Sequence, residues 1–362
     1  MALRNSPALL LLALVPISVA ASLLHWGDWA VCLTAGLAIL PLAIGMSTAT
    51  EELALALGPT LGALLSALFG NASELIIALA ALRAGLVEIV KASITGTLIA
   101  NLLLALGLSM VVGGIGRSEQ TFQPTEARVN GSVMTLAVLA ILIPSFGRLA
   151  QSPEPSVTPS AEIAFSHFVA WVLLLVYGLT LVFSLGTHRH LMQAAEVDDA
   201  EGGKQRPPVL PWLLVLLAAT VGLAYESELF VSVLEPVTAQ LGLGSLFSGV
   251  VILPLLGGVA EFVLAIRMAS KNQLGLSVSV VMGSTLLVAL LVVPVLVLLS
   301  PSFGHPLTLA FGLDEVLAVA TAVLISNLVS SDGRSNWLEG VLLLATYVIL
   351  AAGFAAQPLA IG

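Results

Sequence analysis

The chain has 362 residues, of which 58% are hydrophobic and only 9% are charged, and its formal net charge is −9. Soluble domains typically carry roughly 25% charged residues, so this composition excludes a soluble domain and indicates an integral membrane protein. The negative net charge disfavours nucleic acid as a partner. The single cysteine, Cys32, can supply neither a disulfide within the chain nor a thiolate metal cluster.

Apolar runs of about 20 residues recur along the whole chain and predict eleven membrane-spanning helices, hence an all-α integral membrane fold. The predicted bounds are 7–24, 29–48, 59–83, 87–114, 129–149, 161–185, 208–225, 240–268, 273–300, 307–330 and 337–357. The first run also resembles a secretion signal with a weakly cleavage-like Ala20-Ala21. Because it is long enough to span and a second run follows at once, we predict a retained first helix.

The sequence pattern indicates that the later ten spans are two copies of a five-helix unit. Residues of the same type recur at a spacing of 187 positions, namely Gly62 with Gly249, Ala78 with Ala265 and Gly96 with Gly283. An odd number of spans per copy puts the two copies in opposite membrane orientations, as in many transporters with a binding site near the midplane. The predicted segments are an N-terminal helix (1–28), a first repeat (29–186), a linker (187–207) and a second repeat (208–362).

Lysine and arginine predict the orientation. Nine of them lie on the side of the N-terminus, and only Arg83, Lys91 and Arg148 lie on the other. This bias places the N-terminus in the cytoplasm of a multi-pass protein, which we expect in a prokaryotic inner or plasma membrane. The linker, with an acidic run at 196–201, is then cytoplasmic and too polar to fold alone. It is either a solvated tether or a weak regulatory cation patch.

Glu74 and Glu261 lie deep inside apolar spans, each in a glycine-rich polar segment, Gly70–Glu74 and Gly257–Glu261. Placing a carboxylate in the bilayer costs free energy, so a glutamate at this depth indicates a functional site. The glycines weaken the helix, and a broken helix frees backbone carbonyls in a protein-lined cavity. Carbonyls and carboxylates suit a hard cation such as Ca²⁺, and none of the five histidines lies in either segment.

Two carboxylates that face each other in a low dielectric repel when both are ionised and titrate as a unit. Such a pair holds protons or a divalent cation, but hardly both, which is the basis of cation/proton antiport. The bland alternative is that each glutamate is a packing residue satisfied by a nearby amide or hydroxyl.

Other polar or flexible residues are secondary candidates for the cation site. Around the two segments these are Gly70, Ser73, Gly257, Gly258, Asn101 and Ser284. Asn71 is assigned to the cation site itself together with the two glutamates, and Asn101 has an amide long enough to reach the first segment. Two acidic pairs, Glu51-Glu52 and Glu226/Glu228, end the predicted second and seventh spans on opposite faces. They are either cation-attracting vestibules or simple interface charges.

Five stretches carry a family resemblance: Ala49–Ala54, Phe69–Ile76, Val90–Gly96, Asn101–Leu104 and Asn327–Gly340. With these and the acidic linker, the chain resembles the calcium/proton exchanger (CAX) family of the cation/Ca²⁺ exchanger superfamily. The resemblance implies cation coordination and proton exchange at Glu74 and Glu261, with Asn71 beside the first. In the second repeat this chain has Gly258, Phe262 and Leu287 where the family usually has Asn, His and Gln.

The predicted function is a secondary antiporter that exports Ca²⁺ in exchange for H⁺ by alternating access, without a cofactor. Its partners are the inorganic cation, protons and the lipid bilayer. A Na⁺/H⁺ or K⁺/H⁺ antiporter on the same fold is the nearest alternative. A cation channel is disfavoured because channels usually build pores by rotational symmetry. The spans contain no nucleophile–base pair or histidine cluster of the kind an intramembrane enzyme needs.

Overall fold

The protein is built from long apolar helices joined by short connections. The structure, a computed structural model, describes residues 11–122, 124–149, 158–183 and 207–356. In chain order the helices are α1 (Leu14–Leu23), α2 (Asp28–Leu57), α3 (Pro59–Phe69), α4 (Ala72–Arg83), α5 (Val87–Gly114), α6 (Pro124–Leu149), α7 (Pro159–Val182), α8 (Val209–Gln240), α9 (Ser245–Gly257), α10 (Val259–Ser270), α11 (Leu274–Phe303), α12 (Leu313–Ser330) and α13 (Trp337–Ala355).

The described residues hold nine helices that can cross a membrane, and ten spans if α9 and α10 count as one bent span. Helix α1 has only ten residues, and the rest of the predicted first helix, up to residue 10, lies outside the described residues. The all-α membrane fold is confirmed, and the predicted count of eleven is approximate. Most of the predicted acidic linker, residues 187–206, also lies outside the described residues.

Two predicted span ends are wrong. Helix α2 continues to Leu57 instead of ending at 48, and α8 continues to Gln240 instead of ending at 225. Acidic residues suggested both ends, but both helices run through them: Glu226 is buried within α8, where Ser18 of α1 donates to it, and Glu51 is exposed on α2. The two helices pack antiparallel along their length: Gly36 of α2 faces Phe230, and Gly222 of α8 faces Leu42.

The internal duplication is visible in the helix bounds. Adding 187 to 72 and 83, the ends of α4, gives 259 and 270, the ends of α10. Helices α5 and α11 begin at 87 and 274, the same spacing, and each contains a π-helical stretch at a matching place, Ala100–Ala105 and Val288–Val292. The fold is therefore the inverted-repeat arrangement that the sequence predicts. The segment bounds assigned above remain a prediction.

Helix α5 is the centre of the core, since 83% of its most apolar stretch is buried, against 22% for α8 and α13. Glycine allows a close contact of α5 with α9: a methyl group on Gly96 would overlap the carbonyl oxygen of Val250 on α9. Small residues at helix crossings allow such close approach in membranes. A two-stranded antiparallel sheet, β1 (Gln120–Thr121) with β2 (Arg334–Ser335), ties the connections that follow α5 and α12.

Candidate cation site

Glu74 and Glu261 lie in the first turns of α4 and α10, the second halves of the two interrupted spans. Asn71 precedes α4 and Gly258 precedes α10, at equivalent positions. A helix N-terminus carries a partial positive charge that favours a negative group in its first turn. The duplicated fold therefore presents one carboxylate per repeat at the same backbone position.

The interruptions bend the helices, but the backbone hydrogen bonds at these two points are kept. Helices α9 and α10 meet at 61°. The carbonyl oxygen of Asn71 still accepts from the backbone N–H of Leu75 at 3.2 Å, and that of Gly258 from Phe262 at 3.0 Å. The expectation of freed carbonyls is therefore wrong at Asn71 and Gly258. Each oxygen keeps one lone pair for a ligand.

Both glutamates are buried and only partly satisfied. Glu74 is 7% exposed and Glu261 is 8% exposed. Ser73 Oγ donates to Glu74 Oε2 at 3.0 Å, whereas Glu74 Oε1 and Glu261 Oε2 have no hydrogen-bond partner among the described residues. A buried carboxylate oxygen without a partner is costly unless a proton or a cation neutralises it. These two oxygens mark where such a ligand could bind.

The two carboxylates act on each other although they come from opposite repeats. Glu74 and Glu261 are close enough for their negative charges to repel, and Glu51 of α2 adds a smaller repulsion on Glu261. Within the described ranges, no group of three or more His, Cys, Asp or Glu side chains has the geometry of a metal site. A cation bound here would need neutral oxygens besides the two carboxylates.

Neutral polar groups beside Glu74 converge on one hydroxyl. The amide nitrogens of Asn71 and Asn101 donate to Ser284 Oγ at 2.7 Å and 3.1 Å, and all three side chains are buried. These bonds join the first interrupted span to α5 and α11. Because each amide nitrogen faces Ser284, the two amide oxygens point away from that hydroxyl. The Asn101 amide was expected to reach the first segment itself; it contacts Ser284 instead, and Ser284 links it to Asn71.

The second half of the site is built differently. Gly258 occupies the position equivalent to Asn71, and the ring of Phe262 covers it: a methyl group on Gly258 would lie 3.0 Å from Phe262 Cζ. Phe262 is itself 7% exposed. The aromatic ring therefore fills the space that an amide side chain would need. The glycine and the phenylalanine make one packing unit.

The second acidic pair does not form a vestibule. Glu226 is fully buried, and its Oε1 accepts from Ser18 Oγ of α1 at 2.6 Å. Glu228 is half-exposed and pairs with Arg83 at 2.7 Å. Both lie inside α8 and not at its end, so the predicted position is wrong. In the first pair, Glu51 is exposed on α2 and acts on Glu261, while Glu52 is half-buried.

Two buried residues of this region, Ser18 and Glu315, were not predicted from the sequence. Glu315 is a buried carboxylate of α12: its Oε1 accepts from Thr95 at 3.1 Å and its Oε2 from the backbone N–H of Gly312 at 2.9 Å. A glutamate three residues after a helix start is a capping signal that could have revealed it. Both its oxygens have partners, which makes it a structural contact between α12 and α5. Nothing in the sequence pattern indicates the Ser18 contact.

A small cavity adjoins Glu74. Its volume is about 20 Å³, close to that of one water molecule, and it lies between α4, α5, α9 and α11. Its polar lining residues are Glu74, Ser93 and Thr97. The cavity lies next to the carboxylate and gives it a neighbouring space for water or a small ion.

Comparison with known proteins identifies the family. A family model described as sodium/calcium exchanger protein matches residues 5–186 and 211–355. The chain belongs to the sodium/calcium exchanger protein family. This exchanger is 48% identical over 360 residues to the Ca(2+)/H(+) antiporter of Aphanothece halophytica, with 96% of each chain covered. It is 41% identical over 350 residues to the Ca(2+)/H(+) antiporter ChaA of Bacillus subtilis, with 96% of this chain and 97% of the relative covered.

Solved structures agree with this assignment. The exchanger matches native YfkE with a TM-score of 0.84 and 37% identity, over 97% of this chain and 100% of the other. It matches the H+/Ca2+ exchanger CAX with a TM-score of 0.69 over 96% of this chain and 91% of the other, but at 15% identity, which shows the fold alone. The resemblance to the calcium/proton exchangers is confirmed.

Proposed function

We propose that the exchanger is a Ca²⁺/H⁺ antiporter that moves Ca²⁺ out of the cytoplasm while protons flow inward. The names of its relatives support the pair of substrates. The single observation that carries the proposal is the pair Glu74 and Glu261. They come from opposite repeats, they are buried, they repel each other, and each has an oxygen without a partner among the described residues.

Exchange follows from charge neutralisation. Two ionised carboxylates in a low dielectric repel strongly, so the empty pair is the least stable form. Protons on both carboxylates, or one divalent cation between them, remove that repulsion. Since both use the same oxygens, binding of Ca²⁺ releases protons and protonation releases Ca²⁺. The neutralised forms can pass between inward-open and outward-open states, while the empty dianion cannot.

Ca²⁺ takes 6–8 oxygen ligands in loose geometry, more than two carboxylates supply. We propose that the Asn71 amide oxygen completes the first half of the site, since its nitrogen is engaged by Ser284. Ser73 and Asn101 are further side-chain candidates. Backbone carbonyls of Gly70, Gly257 and Gly258 are candidates on the other sides. Apart from Asn101, which lies on α5, these groups lie at or next to the starts of α4 and α10.

A second candidate is exchange of Na⁺ or K⁺ for H⁺ by the same fold. The ring of Phe262 over Gly258 favours it, because this half-site offers fewer neutral oxygens than the first. A monovalent cation needs less compensating negative charge than Ca²⁺. The proposed direction of transport depends on the cytoplasmic N-terminus that the lysine and arginine bias predicts.

The test is ⁴⁵Ca²⁺ flux in proteoliposomes driven by a pH gradient. Glu74→Gln and Glu261→Gln should each lower the flux roughly tenfold or more, because each removes a charged ligand. Glu228→Gln is the matched control, since this exposed carboxylate pairs with Arg83 and should keep the flux. Unchanged flux in both site variants contradicts the mechanism. Competition by Na⁺ or K⁺ without Ca²⁺ transport would indicate that the protein exchanges Na⁺ or K⁺ for H⁺. Currents that do not require protons would indicate a channel.

A further inference from the structure

A second, larger polar cavity lies away from the glutamates, between α6 and α12. Its volume is about 230 Å³, room for several water molecules or one phosphate group. The lining residues are Arg128, Gly131, Ser132, Thr135, Asn327, Ser330 and Ser331. None of these belongs to the cation site described above. The two helices are repeat mates, since subtracting 187 from 313–330 gives 126–143, which lies within α6.

The hydroxyl groups of this cavity differ in whether their protons are already used in hydrogen bonds within the protein. Ser132 donates to the carbonyl of Arg128, Thr135 to that of Gly131 and Ser331 to that of Leu328, so these protons are already used. Asn327 uses one amide N–H on Thr135 Oγ1 at 2.8 Å and keeps the other. Ser330 has an unused hydroxyl: it is 3% exposed and has no hydrogen-bond partner among the described residues.

Three groups of this cavity still have hydrogens to donate. They are the Arg128 guanidinium, the Ser330 hydroxyl and one amide N–H of Asn327. No ion pair joins Arg128 to another of the described residues. A cation would be repelled by the guanidinium, whereas an anion with several acceptor oxygens would satisfy all three groups. Phosphate suits such a set because arginine binds it with paired hydrogen bonds.

We propose that this cavity binds a phosphate group that bridges α6 and α12. The cavity lies where α6 begins and α12 ends, on the side that the charge bias predicts as cytoplasmic, and Arg128 is exposed there. The headgroups of anionic phospholipids lie at this level of the membrane, and free phosphate reaches it from the cytoplasm. The bound anion holds the two repeat mates together on this face and stabilises the folded protein.

The experiment measures binding and thermal unfolding of the full chain. Purified protein in detergent is titrated with inorganic phosphate, and protein in nanodiscs is compared in phosphatidylcholine with and without phosphatidylglycerol, with bound lipid counted by native mass spectrometry. Arg128→Gln should weaken binding of the anion roughly tenfold, as for a lost hydrogen bond to a charged group. Arg267→Gln is the matched control, because Arg267 is an exposed arginine that does not line the cavity.

Ser330→Ala separates a ligand contact from a structural one. Because Ser330 Oγ has no partner in the described part of the chain, its removal should leave the unfolding temperature without anion unchanged or raised, yet reduce the stabilisation by the anion. Ser326→Ala, one turn earlier, removes a hydroxyl bonded to the Val323 carbonyl and should not affect the anion response. Stabilisation by inorganic phosphate identifies a free anion, and stabilisation only by phosphatidylglycerol identifies a lipid. The proposal is overturned if neither stabilises the protein, or if Arg128→Gln responds like wild type.

Discussion

Gly257 and Glu74 touch across the boundary between the two repeats. A methyl group on Gly257 would lie 3.1 Å from Glu74 Cγ and 3.4 Å from its Cα. The end of α9 thus packs directly on the glutamate of the other repeat. This contact fixes how far the two halves of the proposed site can approach each other.

Gly257→Ala should therefore displace the Glu74 side chain and reduce Ca²⁺ affinity and flux with little loss of fold. The displaced group is a side chain that can move by a few tenths of an ångström, so we expect a functional rather than a stability defect. Flux in proteoliposomes and thermal unfolding measure the two effects separately. Gly283→Ala is the control, because beyond the nearby backbone of its own helix no atom of the described residues lies within 4 Å of its new methyl group. Equal flux in the two variants would show that the Gly257 contact has no role.

Ser284→Ala should destabilise the protein and weaken cation binding together. It removes the one acceptor shared by Asn71 and Asn101, and a buried N–H without a partner costs about 1–3 kcal/mol. The released Asn71 amide is then free to rotate and to present a nitrogen to the cation. Thr285→Val is the control, because that hydroxyl donates to the Val281 carbonyl of its own helix. The measurements are chemical unfolding and Ca²⁺ affinity, and a variant as stable as Thr285→Val would contradict the shared-acceptor role.

Gly258→Asn alone should be destabilising by about 1–3 kcal/mol, because its side chain overlaps the Phe262 ring. Adding Phe262→His removes the obstruction and installs the residues that the calcium/proton exchangers usually carry. The double variant should recover folding and prefer Ca²⁺ over Na⁺ and K⁺ more strongly than wild type. Thermal unfolding and competition flux test the two steps. A single variant as stable as wild type would refute the packing explanation.

Ser18→Ala should lower stability through Glu226. The Ser18 hydroxyl is the one partner that the described residues give this fully buried carboxylate, whose Oε2 has none. Leaving a buried charged group unsatisfied costs about 1–3 kcal/mol or more. Adding Glu226→Gln should recover part of the loss, since a neutral amide needs less compensation. Ser227→Ala, which removes a hydroxyl bonded to its own helix, is the matched control for the unfolding measurement. Additive effects of the two substitutions would rule out this coupling.

Glu51→Gln should reduce the apparent Ca²⁺ affinity on the side where Glu51 is exposed. Its charge acts on Glu261 and attracts cations toward the pair. The effect should be about 2–5-fold at low ionic strength and fade at high salt, because exposed charges are screened. Glu52→Gln is the control, and flux against Ca²⁺ concentration at two salt levels is the measurement. A reduction that does not depend on salt would mean that Glu51 binds the cation directly.

The sequence was sufficient to predict the class, the duplication and the paired glutamates. The bilayer requires each span to be apolar over about 20 residues, whatever its tertiary contacts. Composition and the length of the apolar runs were therefore enough to predict the spans. The 187-residue spacing predicted that Glu74 and Glu261 occupy equivalent positions, and the bounds of α4 and α10 agree with it. Span ends were less predictable, since a charged residue such as Glu226 can be inside a helix when another helix satisfies it.

Only the tertiary structure decided which groups meet. The contacts between Asn71 and Ser284, between Gly257 and Glu74, and between Ser18 and Glu226 join residues 213, 183 and 208 positions apart. No periodicity or local propensity encodes such pairs, because they depend on how the two repeats pack against each other. The same packing explains why Gly258 can stand where an asparagine is usual: the ring of Phe262 takes the space. The sequence alone determined which polar and charged side chains the two repeats contain, while the packing of the repeats determined which of these side chains contact each other.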